Sequence, residues 1–402
     1  MKQPASTWII LFAALMIQAL VAMALITLPV VAPVVAKDVG LPTTYVGVYV
    51  AAVYVAAMFA TVLGGSFVRK WGALRLSQIG LFVTAFGMVL CAIPHPLFMV
   101  IGALFIGLGY GPITPASSHI LIRTTPPERM SLVFSIKQTG VPIGGMFAGL
   151  LVPSFEVFFG WQAAFVMVAF LCVVCALAVN GLRLQLDDDR DASVRPSLIK
   201  SLVEPIKLVW ASTSLRILAA ISFMFAITQL SLTTYLVAFL FEDLGWGLVA
   251  AGLALTVTQA AGVGGRVLWG WIADNWLGSA YMLITIAGLL LGAAALFPWL
   301  TDQTNIWLLY LLLMIMGATA IGWNGVYLAE VARQAPKGQA GMATGGTLGF
   351  TFLGVLCGPP LFGVAAAQFG SYGYAYALLI IPALVIVALL WMSRQRWRKQ
   401  NG

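Results

Sequence analysis

Two basic side chains stand where the chain reads as hydrocarbon-soluble. Lys137 lies in the apolar run 130–155 and Arg266 in the run 247–272. A charge at bilayer depth costs ~2.5–3.5 kcal/mol on insertion scales, so it faces water, a partner or a bound ion. Neither run offers an acidic residue at helical spacing. A guanidinium forks onto a carboxylate with two hydrogen bonds, and an ammonium adds a point charge. The missing counter-charge is read as the cargo, against the alternative that both heads snorkel to the interface or bond helix carbonyls.

Polar residues at similar depth complete a candidate pocket: Gln18, Gln138, Gln229, Tyr235, Gln259, Trp323 and Asn324, with Tyr327 beside them. Each is weighed against a role as glue between helices. No Asp or Glu lies mid-run, since Glu156 and Glu330 sit at run ends. A buried carboxylate is the usual proton carrier and the usual partner of a cationic drug, so cation efflux is disfavoured. His119 is one candidate proton carrier; the substrate itself is another, and anion exchange needs neither.

The elements that position these residues follow from composition. Of 402 residues 61% are hydrophobic and 8% charged, against about 25% charged in soluble domains. A span needs about 20 apolar residues. Twelve such runs are predicted, at 8–36, 45–68, 76–93, 97–122, 130–155, 161–182, 215–240, 247–272, 279–300, 306–331, 340–366 and 372–392. The expected architecture is an all-α membrane protein. Its parts are a six-helix bundle at 1–182, a cytoplasmic linker at 183–214, a second bundle at 215–393 and a basic tail at 394–402. Basic residues crowd alternate loops (Lys2; Arg69, Lys70 and Arg75; Arg123 and Arg129; Arg333 and Lys337; the tail from Arg394), which places both termini in the cytoplasm. The net charge of +8 is accounted for by this bias and calls for no nucleic-acid partner. The absence of Asn-x-Ser/Thr sequons and the short loops favour a bacterial inner membrane.

The halves echo each other. At an offset of 210, Gly107 matches Gly317, Arg123 matches Arg333, Pro126 matches Pro336, Gly144 matches Gly354 and Gly160 matches Gly370. The loop from Gly65 to Gly72 parallels that from Gly270 to Gly278. The repeat partners of Lys137 and Arg266 are Thr347 and Thr61, so the fold itself does not demand the cations. Asp187, Asp188, Asp189 and Asp191 are read as a solvated linker, because consecutive carboxylates cannot converge on one ion. Cys172 and Cys175 are read as apolar filler within a span. No nucleophile or metal constellation marks an enzyme, and no cofactor is expected.

Gly270-Trp-Ile-Ala-Asp274 followed by Gly278 resembles the cytoplasmic loop signature of the major facilitator superfamily, and Gly140-Val-Pro-Ile-Gly-Gly145 resembles its Gly/Pro-rich fifth-helix motif. The resemblance implies parallel six-helix repeats, alternating access, and fifth and eighth helices that face each other across a pathway. It also implies conformational roles for Gly140, Pro142, Gly144, Gly145, Gly270 and Asp274. Where the first-half loop motif has an aspartate, this chain has Arg69, so a gating ion pair is expected to be missing there. Arg123, Glu330 and Arg333 are expected to clamp the inner gate. Arg266-Val-Leu-Trp-Gly270 is similar to the eighth helix of monocarboxylate and oxalate/formate transporters, which implies a substrate-carboxylate contact for Arg266. Lys137-Gln-Thr-Gly-Val-Pro142 resembles the cyanate/nitrate-type branch. The expected function is secondary transport of a small anion, organic or cyanate/nitrate-like, as an exchanger or proton-linked symporter. The expected partners are the anion, protons and the lipid bilayer, with the protein a monomer. Export of neutral or lipophilic drugs is the alternative, and it predicts indifference to charge at 137 and 266.

Overall fold

The apolar runs fold into helices, and polar punctuation sets their ends. In the computed structural model the described residues are 6–126, 129–191, 198–336 and 339–401, with the side chains of 131, 198–202 and 393–401 also set aside. Lys2, Lys337 and the basic side chains of the tail therefore lie outside the described residues. The Ser6 side chain accepts from the Trp8 amide to start α1 (Thr7–Val39), and left-handed Gly40 at φ 74 closes it. Then follow α2 (Val46–Trp71), α3 (Ala73–Cys91), the pair α4 (Pro96–Tyr110) and α5 (Ile113–Thr124), the pair α6 (Met130–Gln138) and α7 (Gly140–Phe159), and α8 (Trp161–Ala178). Short α9 (Arg183–Leu186) and α10 (Leu198–Ala211) lead into α11 (Thr213–Ala238), α12 (Leu248–Ile272) and α13 (Ser279–Leu296). The pair α14 (Ile306–Ala320) and α15 (Asn324–Gln334), long α16 (Ala340–Phe369), and the pair α17 (Tyr372–Ala377) and α18 (Ile380–Asn401) complete the order. No strand occurs among the described residues.

Twelve of these helices or helix pairs are long and apolar enough to cross a membrane. Their outward faces carry large apolar groups such as Phe158, Phe170, Leu361 and Ile381, and Trp299 and Trp307 stand exposed at the ends of adjacent spans. That pattern suits lipid, with amphipathic rings at its boundary. The protein is an integral membrane protein.

Two units emerge, one of residues 1–42 and 52–199, the other of 43–51 and 200–402. In the first, α1 packs on α7 and α8, and α3 on α4 and α8. In the second, α11 packs on α16 and α18, and α13 on α14 and α18. The two sets of pairings are the same under the repeat. Glycines make the close approaches in both: a Cβ at Gly107 would strike the Val53 carbonyl and one at Gly317 the Thr258 carbonyl. Gly144 lies equally tight against the Ala19 carbonyl, and Gly354 against that of Phe223. Without a side chain, backbones approach closely enough for dispersion to hold helices together in lipid.

One expectation needs correction. The segment 183–214 is not uniformly solvated: it contains α9 and α10, and Asp187 is buried. The cause lies at the start of α3. Gly72 at φ 94 offers no capping side chain, so the Leu74 and Arg75 amides need an acceptor from elsewhere. The Asp187 carboxylate supplies it, at 2.7 and 2.9 Å.

Candidate functional site

In the first unit, Lys137 lies in the last turn of α6, which ends at Gln138 before Thr139 interrupts the helix. It is 2% exposed. Among the described residues it has no hydrogen-bond acceptor and no ion-pair partner. Gln18 on α1 is also buried; its Oε1 accepts from the Thr114 hydroxyl at 3.3 Å, while Nε2 has no partner. Gly140 lets α1 come close, for a Cβ there would meet the Cβ and Cγ of Gln18 at 2.9 Å. Pro142, Gly144 and Gly145 are buried along the same helix, and Gln138 is half-buried.

In the second unit, three of the expected pocket residues meet. Gln229 Oε1 accepts from Trp323 Nε1 at 2.9 Å and from Asn324 Nδ2 at 3.3 Å. The Trp323 ring is buried and stacks on Phe225 with centroids 4.9 Å apart. Gln259 is buried on α12 and makes no side-chain hydrogen bond among the described residues. Arg266, half-buried on α12, donates from Nε to the Ile321 carbonyl at 3.2 Å. That carbonyl is exposed to partners because the chain unwinds between α14 and α15. Tyr235 sits apart from these: its hydroxyl bonds the Thr44 and Pro359 carbonyls at 2.8 and 2.9 Å, and its ring stacks on Phe362.

The residues expected at a gate divide into paired and unpaired. Arg123 binds Asp188 at 2.6 Å and Asp189 at 2.7 Å, and reaches the Leu186 carbonyl at 3.3 Å. His119 meets the other oxygen of Asp189 at 2.6 Å. The Arg123 bond holds the Asp188 carboxyl below the usual carboxylate range, whereas burial pushes Asp187 above it. Glu330 is buried at the end of α15, paired with Arg333 and accepting from Gln334 Nε2 at 2.9 Å. By contrast, the side chains of Arg69 and Asp274 are exposed and make no ion pair among the described residues. Gly270 faces open space, so close packing does not explain it; Gly278 does have a conformational reason, at φ 73.

Sequence reasoning missed Thr114 and Thr61 as partners, and missed the roles of Asp187 and Asp189. Thr114 carried no signal beyond a polar residue in a span, and Thr61 only its place opposite Arg266 in the repeat. The aspartates were visible as a run, but their partners lie some 60 to 110 positions away, as the bonds to Arg123 and Leu74 show. Among the described residues no group of three or more His, Cys, Asp or Glu side chains could hold a metal.

Residues 10–348 match the family model of the Major Facilitator Superfamily. A gentisate transporter of Corynebacterium glutamicum is 26% identical over 359 residues, covering 82% of this chain and 77% of that protein. A benzoate transport protein of Acinetobacter baylyi is 22% identical, covering 90% of this chain and 84% of its own. Among solved structures, the nucleoside transporter NupG shares the fold at a TM-score of 0.79 and 15% identity, over 95% of this chain and 99% of that one. With the paired repeats, the twelve spans and a family match across most of its length, the chain belongs to the Major Facilitator Superfamily and is a transporter, not an enzyme.

Proposed function

We propose that this transporter carries a small organic anion, a carboxylate of the size of benzoate or a hexuronate, by alternating access across a bacterial inner membrane with both termini in the cytoplasm. The observation that carries the reading is Lys137, a buried cation with no acceptor among the described residues. Leaving a charge in that state is costly unless an anion arrives to complete it. Within the first unit Gln18 adds a polar contact beside Lys137; within the second, taken by itself, Arg266 is the cation and Gln229, Gln259, Trp323 and Asn324 are the polar side chains proposed to meet an anion. The named substrates of two relatives, gentisate and benzoate, support a carboxylate cargo. Tyr235, whose hydroxyl is spent on backbone carbonyls, serves as a tether within its own unit.

The protein works as a monomer, and exchange of one anion for another is its simplest cycle. No mid-span carboxylate is available among the described residues, so any proton would travel with the substrate or through His119. Uptake or counterflow of labelled benzoate, gentisate and hexuronate in proteoliposomes tests the reading. Saturable flux of at least one, lost in Lys137→Gln, is expected. Flux of neutral lipophilic compounds, unchanged in that variant, would contradict it and favour drug export.

A further inference from the structure

The Gln18 amide is held with one end spent and the other open. The Thr114 hydroxyl donates to Oε1 at 3.3 Å, which turns the NH2 group away from α5. Nε2 is buried and finds no acceptor. Helix glue would show the opposite, with the amide nitrogen bonded to a neighbouring carbonyl, as Gln78 Nε2 is to Ala176 at 2.8 Å in the same unit. A buried donor left unmade costs free energy, so a partner is missing from the site.

Lys137 supplies the second open donor, and the two are neighbours on the fold. Gln18 lies against Gly140, which follows Lys137 by three positions and so stands about one turn along the same face. The α1 helix packs on both α6 and α7. The arrangement is donor-only: an ammonium with three N–H groups, an amide with two, and no acidic side chain in spans 1, 4 or 5 outside Asp38 and Glu156 near their ends. We infer that Lys137 and Gln18 form a carboxylate subsite, with one oxygen of a deprotonated carboxylate on the ammonium and the other on the Gln18 NH2, and with Thr114 as the residue that positions the amide. This deepens the anion reading and rests on it. The substrate class is a carboxylate in its ionised form; the neutral amide of the same shape offers a single acceptor and an NH2 group facing donors.

The test is the melting temperature of the full chain in detergent, with benzoate, gentisate, galacturonate and benzamide as probes. Wild type is expected to be stabilised by at least one carboxylate and not by benzamide. Gln18→Glu sets an acceptor where the donor stood, next to Lys137. It should therefore melt higher than wild type without ligand and lose the carboxylate shift. Gln18→Leu should keep the shift but need roughly 10-fold more ligand, the loss of one hydrogen bond to a charged group. Wild type responding alongside a Gln18→Glu variant that responds equally, or a Gln18→Leu variant with unchanged ligand dependence, overturns the subsite alone. A wild type blind to every carboxylate overturns the anion reading and the subsite together.

Discussion

Arg266 donates its Nε to the Ile321 carbonyl at 3.2 Å, and in the other unit Thr61 donates its hydroxyl to the Gly111 carbonyl at 3.0 Å. The pairs correspond under the repeat, since 61 and 266 differ by 205 as Gly65 and Gly270 do, and 111 and 321 differ by 210. Both carbonyls lie where a span breaks, between α4 and α5 and between α14 and α15. A neutral hydroxyl thus suffices to serve the freed carbonyl. On the proposed reading, the positive charge of Arg266 serves the cargo.

Replacing Arg266 by threonine, the residue at the corresponding position of the other unit, is expected to leave the protein folded. Transport should fall to background. Melting curves and proteoliposome flux on the same preparation separate the two effects; a variant that transports normally would remove Arg266 from the substrate path.

Lys137→Met tests the buried cation from the stability side. The thioether keeps most of the volume and removes the unpartnered charge, and replacing buried charges by apolar groups is often neutral or stabilising by ~1–4 kcal/mol. The ligand-free variant is expected to melt at or above wild type while losing transport. A marked drop in melting temperature would show that Lys137 serves the fold.

The glycines that carry the repeat differ in what they do, and alanine separates them. Gly107→Ala and Gly317→Ala drive a methyl group into the Val53 and Thr258 carbonyls, whereas a Cβ at Gly65 or Gly270 meets nothing within 4 Å. The first pair should each lose ~1–3 kcal/mol by overpacking. The second pair should change stability little, and any loss of flux there points to the conformational cycle. Equal stability losses in all four would refute this division.

Asp187 and Asp188 respond to pH in opposite senses. The Asp188 carboxyl is held below the usual range by its bond to Arg123. Its stabilising contribution is therefore complete above the ordinary aspartate value, about 3.9, and is lost as pH falls through the lowered one. Acidification below that value should cost wild type more stability than Asp188→Asn, which has nothing left to protonate there. Burial raises Asp187, so its ionised form is least favoured, and the Leu74 and Arg75 amides offset that cost. Asp187→Asn keeps one acceptor and turns an NH2 group toward the other amide; a loss of about 1–2 kcal/mol is expected, as for a helix cap. A fold indifferent to Asp187→Asn would remove the capping role.

Much of the fold was legible in the sequence because lipid imposes a simple code. Twelve apolar runs had to be helices, since no other local structure satisfies its own backbone in hydrocarbon. The Gly107/Gly317 and Gly144/Gly354 matches marked close approaches that recur in both units. The breaks within spans were not anticipated, since 97–122 and 306–331 read as unbroken runs: the first falls at Gly111-Pro112, where proline brings no N–H, and the equivalent one at 321–323 holds no proline. The cations stood out because charge in a span is rare. The pairing of Asp188 and Asp189 with Arg123 and His119 was hidden, since it joins residues far apart in the chain through side chains that also suit a solvated loop. The bonds of Tyr235 to the Thr44 and Pro359 carbonyls were hidden for a related reason: a mid-span hydroxyl looks the same in sequence whether it faces a ligand or two carbonyls.

The most direct test of the central claim is counterflow of labelled benzoate and gentisate in proteoliposomes containing wild type, Lys137→Gln or Lys137→Arg. Wild type is expected to show saturable exchange, the glutamine variant none and the arginine variant partial recovery, because charge rather than shape alone draws the carboxylate in. Exchange by the glutamine variant at the wild-type rate would contradict that claim.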